Sequence, residues 1–337
     1  MTEENELPAV SAPMPWQTEE WQRLGQQINR DELPHALLIS GPQDTGKSRL
    51  GLALARLLLC SQPAAGLNCG HCHACELSAS GNHGDFQWLA PEGKSRIIKI
   101  DQVRKIVEFT NMTAGFGLRK IAVFSPAENM NVSAANALLK VLEEPPANTH
   151  LILICHRLHG LPATVRSRCQ ILRPTIPSRE QSLTWLDQIC ATRADSESLL
   201  DLAGGLPLLA ERLNGQEAAD VLQRITQAIA ALLSGRLDAA SLAKALAAGD
   251  LGQTLAQLAA GIQKQLRALD GARLCSSQAR AGFALLDEIL QIQRALNAGS
   301  NPNPQLLLET LVAKVQRVLG DGGLDDNIGS MQRGTSP

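Results

Sequence analysis

The stretch "GPQDTGKS" (41–48) has the residue types and spacing to grip a phosphate chain. Gly41, Thr45, Gly46, Lys47 and Ser48 fit the pattern G-x-x-x-x-G-K-[ST]. A glycine-rich turn of this kind lets backbone N–H groups converge on phosphate oxygens, and the positive end of the following helix adds to the attraction. Lys47 would reach the β- and γ-phosphates, and Ser48 would hold Mg2+. The spacing predicts an ATP/Mg2+ site; the plainer alternative is a Gly turn with a chance Lys-Ser.

Hydrolysis asks for more than grip. An acidic residue at the end of a neighbouring strand must hold the metal shell, and a second carboxylate or a Gln must aim the water. The natural strand here is "KIAVFSPAENM" (120–130), and Ser125 and Pro126 stand where an Asp-Glu pair would. Neither can act as a base. Glu128 follows two residues later, either as a carboxylate that swings in or as a solvated Glu at a helix entry. The residues therefore predict a loop that binds beside a strand that cannot activate water.

A second cluster has metal spacing. Cys60, Cys69, Cys72 and Cys75 run as C-x8-C-x2-C-x2-C through "CGHCHAC". Tetrahedral Zn2+ takes four soft ligands, and x2 spacings let one tight turn offer two thiolates to one ion. His71 and His73 are surplus to such a set. Disulfides are the rival reading, disfavoured in a reducing compartment. The expectation is a structural zinc with no open coordination position. Cys155, Cys169, Cys190 and Cys275 are scattered and expected to pack as small hydrophobes.

The elements that must position these groups alternate. "HALLIS" (35–40) reads as a strand, followed by a helix from Ser48 through "SRLGLALARLLLC" with an apolar period near 3.6. "FQWLAP" (86–91), "KIAVFS" (120–125), "HLILIC" (150–155) and "CQILRP" (169–174) are further strands, with helices over 99–112 and 132–144 between them. Alternation of this kind implies a parallel sheet with right-handed crossovers. The expected fold is α/β followed by all-α. Residues 1–175 would form the nucleotide-binding domain with the four-Cys module at 60–75, opening on a mobile arm (1–14) and a helix (16–30). A short helical segment follows at 176–214. An Ala/Leu/Gln-rich helical domain would fill 215–320, with helices at 216–234, 239–269, 276–297 and 303–319. Residues 321–337 read as a disordered tail.

Composition narrows the function. The chain has 337 residues, 44% hydrophobic and 19% charged, with a formal net charge of −2, so no global basic field draws it to nucleic acid or membrane. Aromatic residues are 3% with no Tyr, which argues against stacking platforms for single strands. The acidic, Pro-containing start does not resemble a signal peptide, and no run of about 18 apolar residues suggests a membrane span. A cytoplasmic protein is expected. A zinc-dependent nucleic-acid module would place Lys, Arg or aromatic residues in 60–75, and none is there.

Taken together, "HALLISGPQDTGKS", "CSQPAAGLNCGHCHAC", "GNHGDFQWLAPEG", "NALLKVLEEPP" (136–146) and "ATVRSRCQ" (163–170) resemble the delta-prime family of bacterial DNA polymerase III clamp-loader subunits, in the AAA+ superfamily. The likeness is clear over 33–215 and continues weakly through "NPNPQLLLETLVAKV". It implies a nucleotide-binding domain, a small helical lid and a C-terminal collar. It also implies a hetero-pentamer with delta and gamma/tau subunits that loads the sliding clamp onto primer-template DNA, with no membrane involved. Such a subunit acts as a stator within the polymerase holoenzyme and binds ATP without hydrolysing it. Arg168, in Ser167-Arg168-Cys169, matches the arginine that the family lends in trans to a neighbour's ATP; Arg166 lies off the motif. An unassisted reading of Arg168 is a surface Arg paired with Glu or Asp. The sequence keeps Lys47 and Ser48, which more degenerate members lose. In the lid, Pro207 stands where a motor subunit would carry an Arg. The rival within the family is an active motor ATPase of the same loader.

Overall fold

The computed structural model describes residues 8–93, 95–116, 119–214, 227, 239–246, 251–267, 271–297, 300 and 302–319. The expected tail, residues 1–7 of the expected arm and most of the expected 216–234 helix lie outside these. The chain divides into two compact units, 1–212 and 213–337.

Unit one is built on five strands: β1 (Ala36–Ser40), β2 (Phe86–Leu89), β3 (Lys120–Phe124), β4 (Thr149–Cys155) and β5 (Gln170–Leu172). Every described pair is parallel, in the order β2-β3-β4-β1-β5. β1 and β3 are buried at every position. Their continuous apolar runs follow from a sheet covered on both faces. Leu38, Ala122, Phe124, Leu151 and Leu153 face one core with α4 (Ile100–Asn111) and α5 (Val132–Glu143). Ile39, Ile121, Val123, Ile152 and Ile154 face the other, with α1 (Thr18–Asn29) and α2 (Lys47–Leu59). Alternation of side chains along each strand feeds both cores from the same five segments.

Gly51 lets α2 lie close on the sheet, since a Cβ there would meet Ile154 Cδ1 at 2.8 Å. The insert between α2 and β2 contains α3 (His73–Ala79), which begins directly after Cys72. Further along come α6 (Ala163–Arg166), α7 (Arg179–Leu186), α8 (Arg193–Leu202) and α9 (Pro207–Leu213).

Unit two is helical. The helices Ala239–Leu246, Leu251–Arg267, Ser277–Asn297 and Pro304–Leu319 enclose Leu242, Leu255, Ile262, Ile289, Leu308 and Val312. None of the described helices is long and apolar enough to cross a membrane.

Two expectations need correction. Residues 8–14 are not a mobile arm: Ser11 and Met14 are buried, and Ser11 donates its backbone N–H to Asn68 Oδ1 at 2.8 Å. Short polar groups on that segment found partners in the insert, which composition could not reveal. Cys275 is exposed rather than packed, because it sits in the turn before the helix Ser277–Asn297.

Candidate functional site

The phosphate loop joins β1 to α2, the strand–turn–helix context its chemistry requires. Gly46 caps α2 with φ +95, a left-handed backbone suited to Gly, and a Cβ there would meet Met14 Cγ at 2.4 Å. Thr45 Oγ1 donates to Pro42 O at 2.9 Å, tightening the turn. Gly41 N–H donates to Cys155 O at 3.2 Å and ties the loop's start to the end of β4.

Lys47 is only 2% exposed, and its ammonium donates to Pro42 O. Burial pulls its pKa down to about 8, and the Glu128 and Asp44 carboxylates oppose that shift. The loop therefore holds a cation short of acceptors, which a phosphate oxygen would supply. Ser48 is exposed at the first turn of α2.

At the end of β3, Ser125 and Pro126 stand as the sequence places them. Glu128 fits neither expected role. It is half-buried, and its Oε1 accepts the backbone N–H of His156 at 2.9 Å and of Arg157 at 3.2 Å. Its carboxylate thus closes the open end of β4, an interaction local pattern cannot signal. The other oxygen, Oε2, is buried without a hydrogen bond, as is His156 Nδ1. Burial, then the Lys47 charge, lowers the His156 pKa and keeps that imidazole neutral.

The helix α9 contributes a residue that carries no local sequence signal. Arg212, on α9, donates from both terminal nitrogens to Asp44, Nη1 to Oδ1 at 2.6 Å and Nη2 to Oδ2 at 2.8 Å. Asp44 sits inside the phosphate loop with φ 59. Arg49, in the first turn of α2, pairs with Glu211 beside it. Pro207 opens α9 and has no cation to offer, whereas Arg212 on the same helix reaches the loop instead.

Arg168 lies elsewhere. It follows α6 and precedes β5; its Nε donates to Glu143 Oε1 at 2.8 Å, and its Nη1 donates to Thr164 O at 2.9 Å. Because β5 and β1 run parallel with Gln170 beside Leu37, Arg168 sits at the N-terminal edge of the sheet. The phosphate loop leaves the C-terminal edge. The length of β1 alone separates the two by roughly 15 Å.

The four thiols converge. Sγ atoms of Cys60, Cys69, Cys72 and Cys75 all lie within 4.8 Å of one another, with Cys60–Cys72 and Cys69–Cys75 at 3.9 Å. A tetrahedral ion held at ~2.3 Å sets its sulfurs about 3.8 Å apart, so the site fits a four-thiolate metal. Three N–H groups already point at the sulfurs: Cys69 N to Cys60 Sγ at 3.3 Å, Cys72 N to Cys69 Sγ at 3.4 Å, and Asn68 Nδ2 to Cys75 Sγ at 3.3 Å. Such donors orient and tune thiolate ligands. His71 Nδ1 is engaged with Cys69 O at 3.0 Å, and His73 stacks near Phe116, so neither completes the set.

A parallel sheet with a phosphate-loop sequence between its first strand and the next helix, a four-thiol insert and a following helical unit defines an α/β protein of the P-loop class. A family model described as "DNA polymerase III, delta subunit" matches residues 16–183. The chain is 42% identical over 232 residues to DNA polymerase III subunit delta' of Pseudomonas aeruginosa, covering 68% of this chain and 70% of that protein. It is 31% identical over 324 residues to the same subunit of Escherichia coli, covering 91% of this chain and 96% of that one. A solved gamma-subunit-related protein of Thermotoga maritima superposes with a TM-score of 0.49 at 21% identity, over 89% of this chain and 99% of that one. On the sequence relatives, this chain belongs to the delta-prime subunit family of DNA polymerase III.

Proposed function

We propose that this chain is the stator of a clamp loader: it holds nucleotide without hydrolysing it and lends Arg168 to the ATP of an adjacent motor subunit. The observation that carries this is the opposition of Arg168 and Lys47 across the sheet. A guanidinium at that edge cannot serve its own phosphate loop, but it is half-exposed and available to a neighbour's. There it would offset charge developing on the γ-phosphate.

The second support is the hydrolytic side. Ser125 and Pro126 directly follow β3 where a catalytic Asp-Glu pair would stand, and Oε1 of the nearby Glu128 accepts two backbone N–H groups at the end of β4. ATP would lie along residues 41–48, with Lys47 on its β- and γ-phosphates and Ser48 toward Mg2+. Zinc would sit on Cys60, Cys69, Cys72 and Cys75 with a closed shell and a structural role. The partners are the delta and gamma/tau subunits of a hetero-pentamer, the sliding clamp, and primer-template DNA reached through the complex. Residues 176–214 would be the lid and 215–320 the collar.

Equilibrium nucleotide binding and hydrolysis, measured side by side on the isolated chain, test this reading. Binding without turnover is expected. Turnover well above background, abolished by Lys47→Ala, would make the chain a motor subunit instead.

A further inference from the structure

One buried network joins the four-thiol cluster to the phosphate loop. Its centre is Arg56 on α2, a fully buried guanidinium. Arg56 donates to Ser78 Oγ at 3.1 Å, Ser11 Oγ at 2.7 Å, Ala9 O at 3.0 Å, Cys75 O at 3.2 Å and to Pro8 O. Asn68 works beside it. Its Oδ1 accepts Ser11 N–H at 2.8 Å, and its Nδ2 is shared between Ala9 O at 2.9 Å and Cys75 Sγ at 3.3 Å. Residues 8–11 are therefore held by the same two side chains that touch the cluster.

The same segment then runs to the loop. Met14 packs where a Cβ on Gly46 would be. Trp16 Nε1 donates to Thr45 O at 3.0 Å, and Gln17 Nε2 donates to that oxygen at 3.3 Å. Gln17 Oε1 accepts Met14 N–H at 3.0 Å, which fixes the bend between the two attachments.

Charge gives the network a direction. No carboxylate pairs with Arg56 among the described residues, although a buried cation without a counter-charge is costly. Four thiolates around a divalent cation carry two net negative charges. Arg56 donates to the backbone carbonyl of Cys75, one of the four thiol residues, so a metal bound there would supply the anionic centre that Arg56 lacks.

We propose that residues 8–17 form a strap that couples metal occupancy of the four-thiol cluster to the order of the phosphate loop, with Arg56 as counter-ion of the metal–thiolate centre. With metal bound, Arg56 and Asn68 hold Pro8–Ser11, and Met14–Gln17 brace Thr45 and Gly46. Without it, the strap's inner anchor weakens and the loop loses its brace. This goes beyond the stator reading, because it holds whether or not the loop turns nucleotide over.

Tryptophan positions supply the test. Trp21 Nε1 donates to Gly66 O in the insert at 3.2 Å, Trp16 reports on Thr45, and Trp88 lies on β2. In the full chain labelled with 5-fluorotryptophan, each 19F resonance is assigned by a single Trp→Phe variant. Zinc-loaded protein is compared with protein dialysed against a chelator. The Trp21 and Trp16 resonances should both move and broaden, while Trp88 stays. Movement of Trp21 with Trp16 unchanged would overturn the coupling. Should Trp88 move as well, Asn68→Ala in saturating zinc decides: a shifted Trp16 supports the strap, and an unshifted one refutes it.

Discussion

Arg168 rests its guanidinium on Glu143, Nε to Oε1 at 2.8 Å, so the residue proposed to act on a neighbour is parked within its own subunit. Both side chains are substantially exposed, and such pairs contribute about 0–1 kcal/mol. Glu143→Gln should therefore change the chain's urea stability by less than about 1 kcal/mol. A loss well beyond that would mean that the pair is a structural clamp and not a resting place.

Lys47 makes a prediction with a sign. Its folded pKa, about 8, lies below the 10.5 of an ordinary lysine. The folded state thus binds fewer protons than the unfolded state between those values, and this group's contribution to stability rises with pH across that window. Below pH 8 the buried charge is a cost. Lys47→Met should stabilise the ligand-free chain at pH 7 by about 1 kcal/mol, with the gain fading as pH approaches 10.5. Denaturant melts at both pH values check this; a gain that persists unchanged at high pH contradicts the buried-charge account. The same titration predicts that triphosphate affinity falls above pH 8, as the ammonium is lost.

The grip of Arg212 on both oxygens of Asp44 links α9 to the phosphate loop. Arg212→Ala should leave the sheet intact but speed deuterium exchange in α9, by the roughly fivefold that a loss of about 1 kcal/mol implies. Unchanged exchange there would mean that Leu206 to Leu213 are held by packing alone.

Replacing one thiol removes a ligand from a closed set. Cys72→Ser should lose bound zinc and lower the melting temperature of unit one, and a chelator should then have no further effect. Wild-type stability after metal stripping would deny the cluster its structural role.

Much of this was legible because it is local. The five strands, the loop and the four-thiol cluster each announce themselves within a short window, through continuous apolar runs, Gly-Lys-Ser spacing and Cys intervals. Strand ends were less legible: β5 covers Gln170–Leu172 where 169–174 was expected, since edge pairing to β1 sets its length. What stayed hidden depends on contacts distant in sequence. Arg212 meets Asp44 across 168 positions, Arg56 meets Ser11 across 45, and Glu128 reaches the end of β4 across 28. A polar residue carries no local signal of which distant backbone group it will satisfy. The arm at 8–14 was misread for that reason: its composition suggests solvent, but its carbonyls serve a buried cation.

The most direct test of the central claim is the ATPase rate of the reconstituted clamp loader, stimulated by clamp and primed DNA, with Arg168→Ala in this chain alone. The complex should assemble normally and one motor site should lose about 10³-fold or more of its rate, the scale on which trans-acting arginines work. A fully assembled complex with undiminished turnover at every site would contradict it.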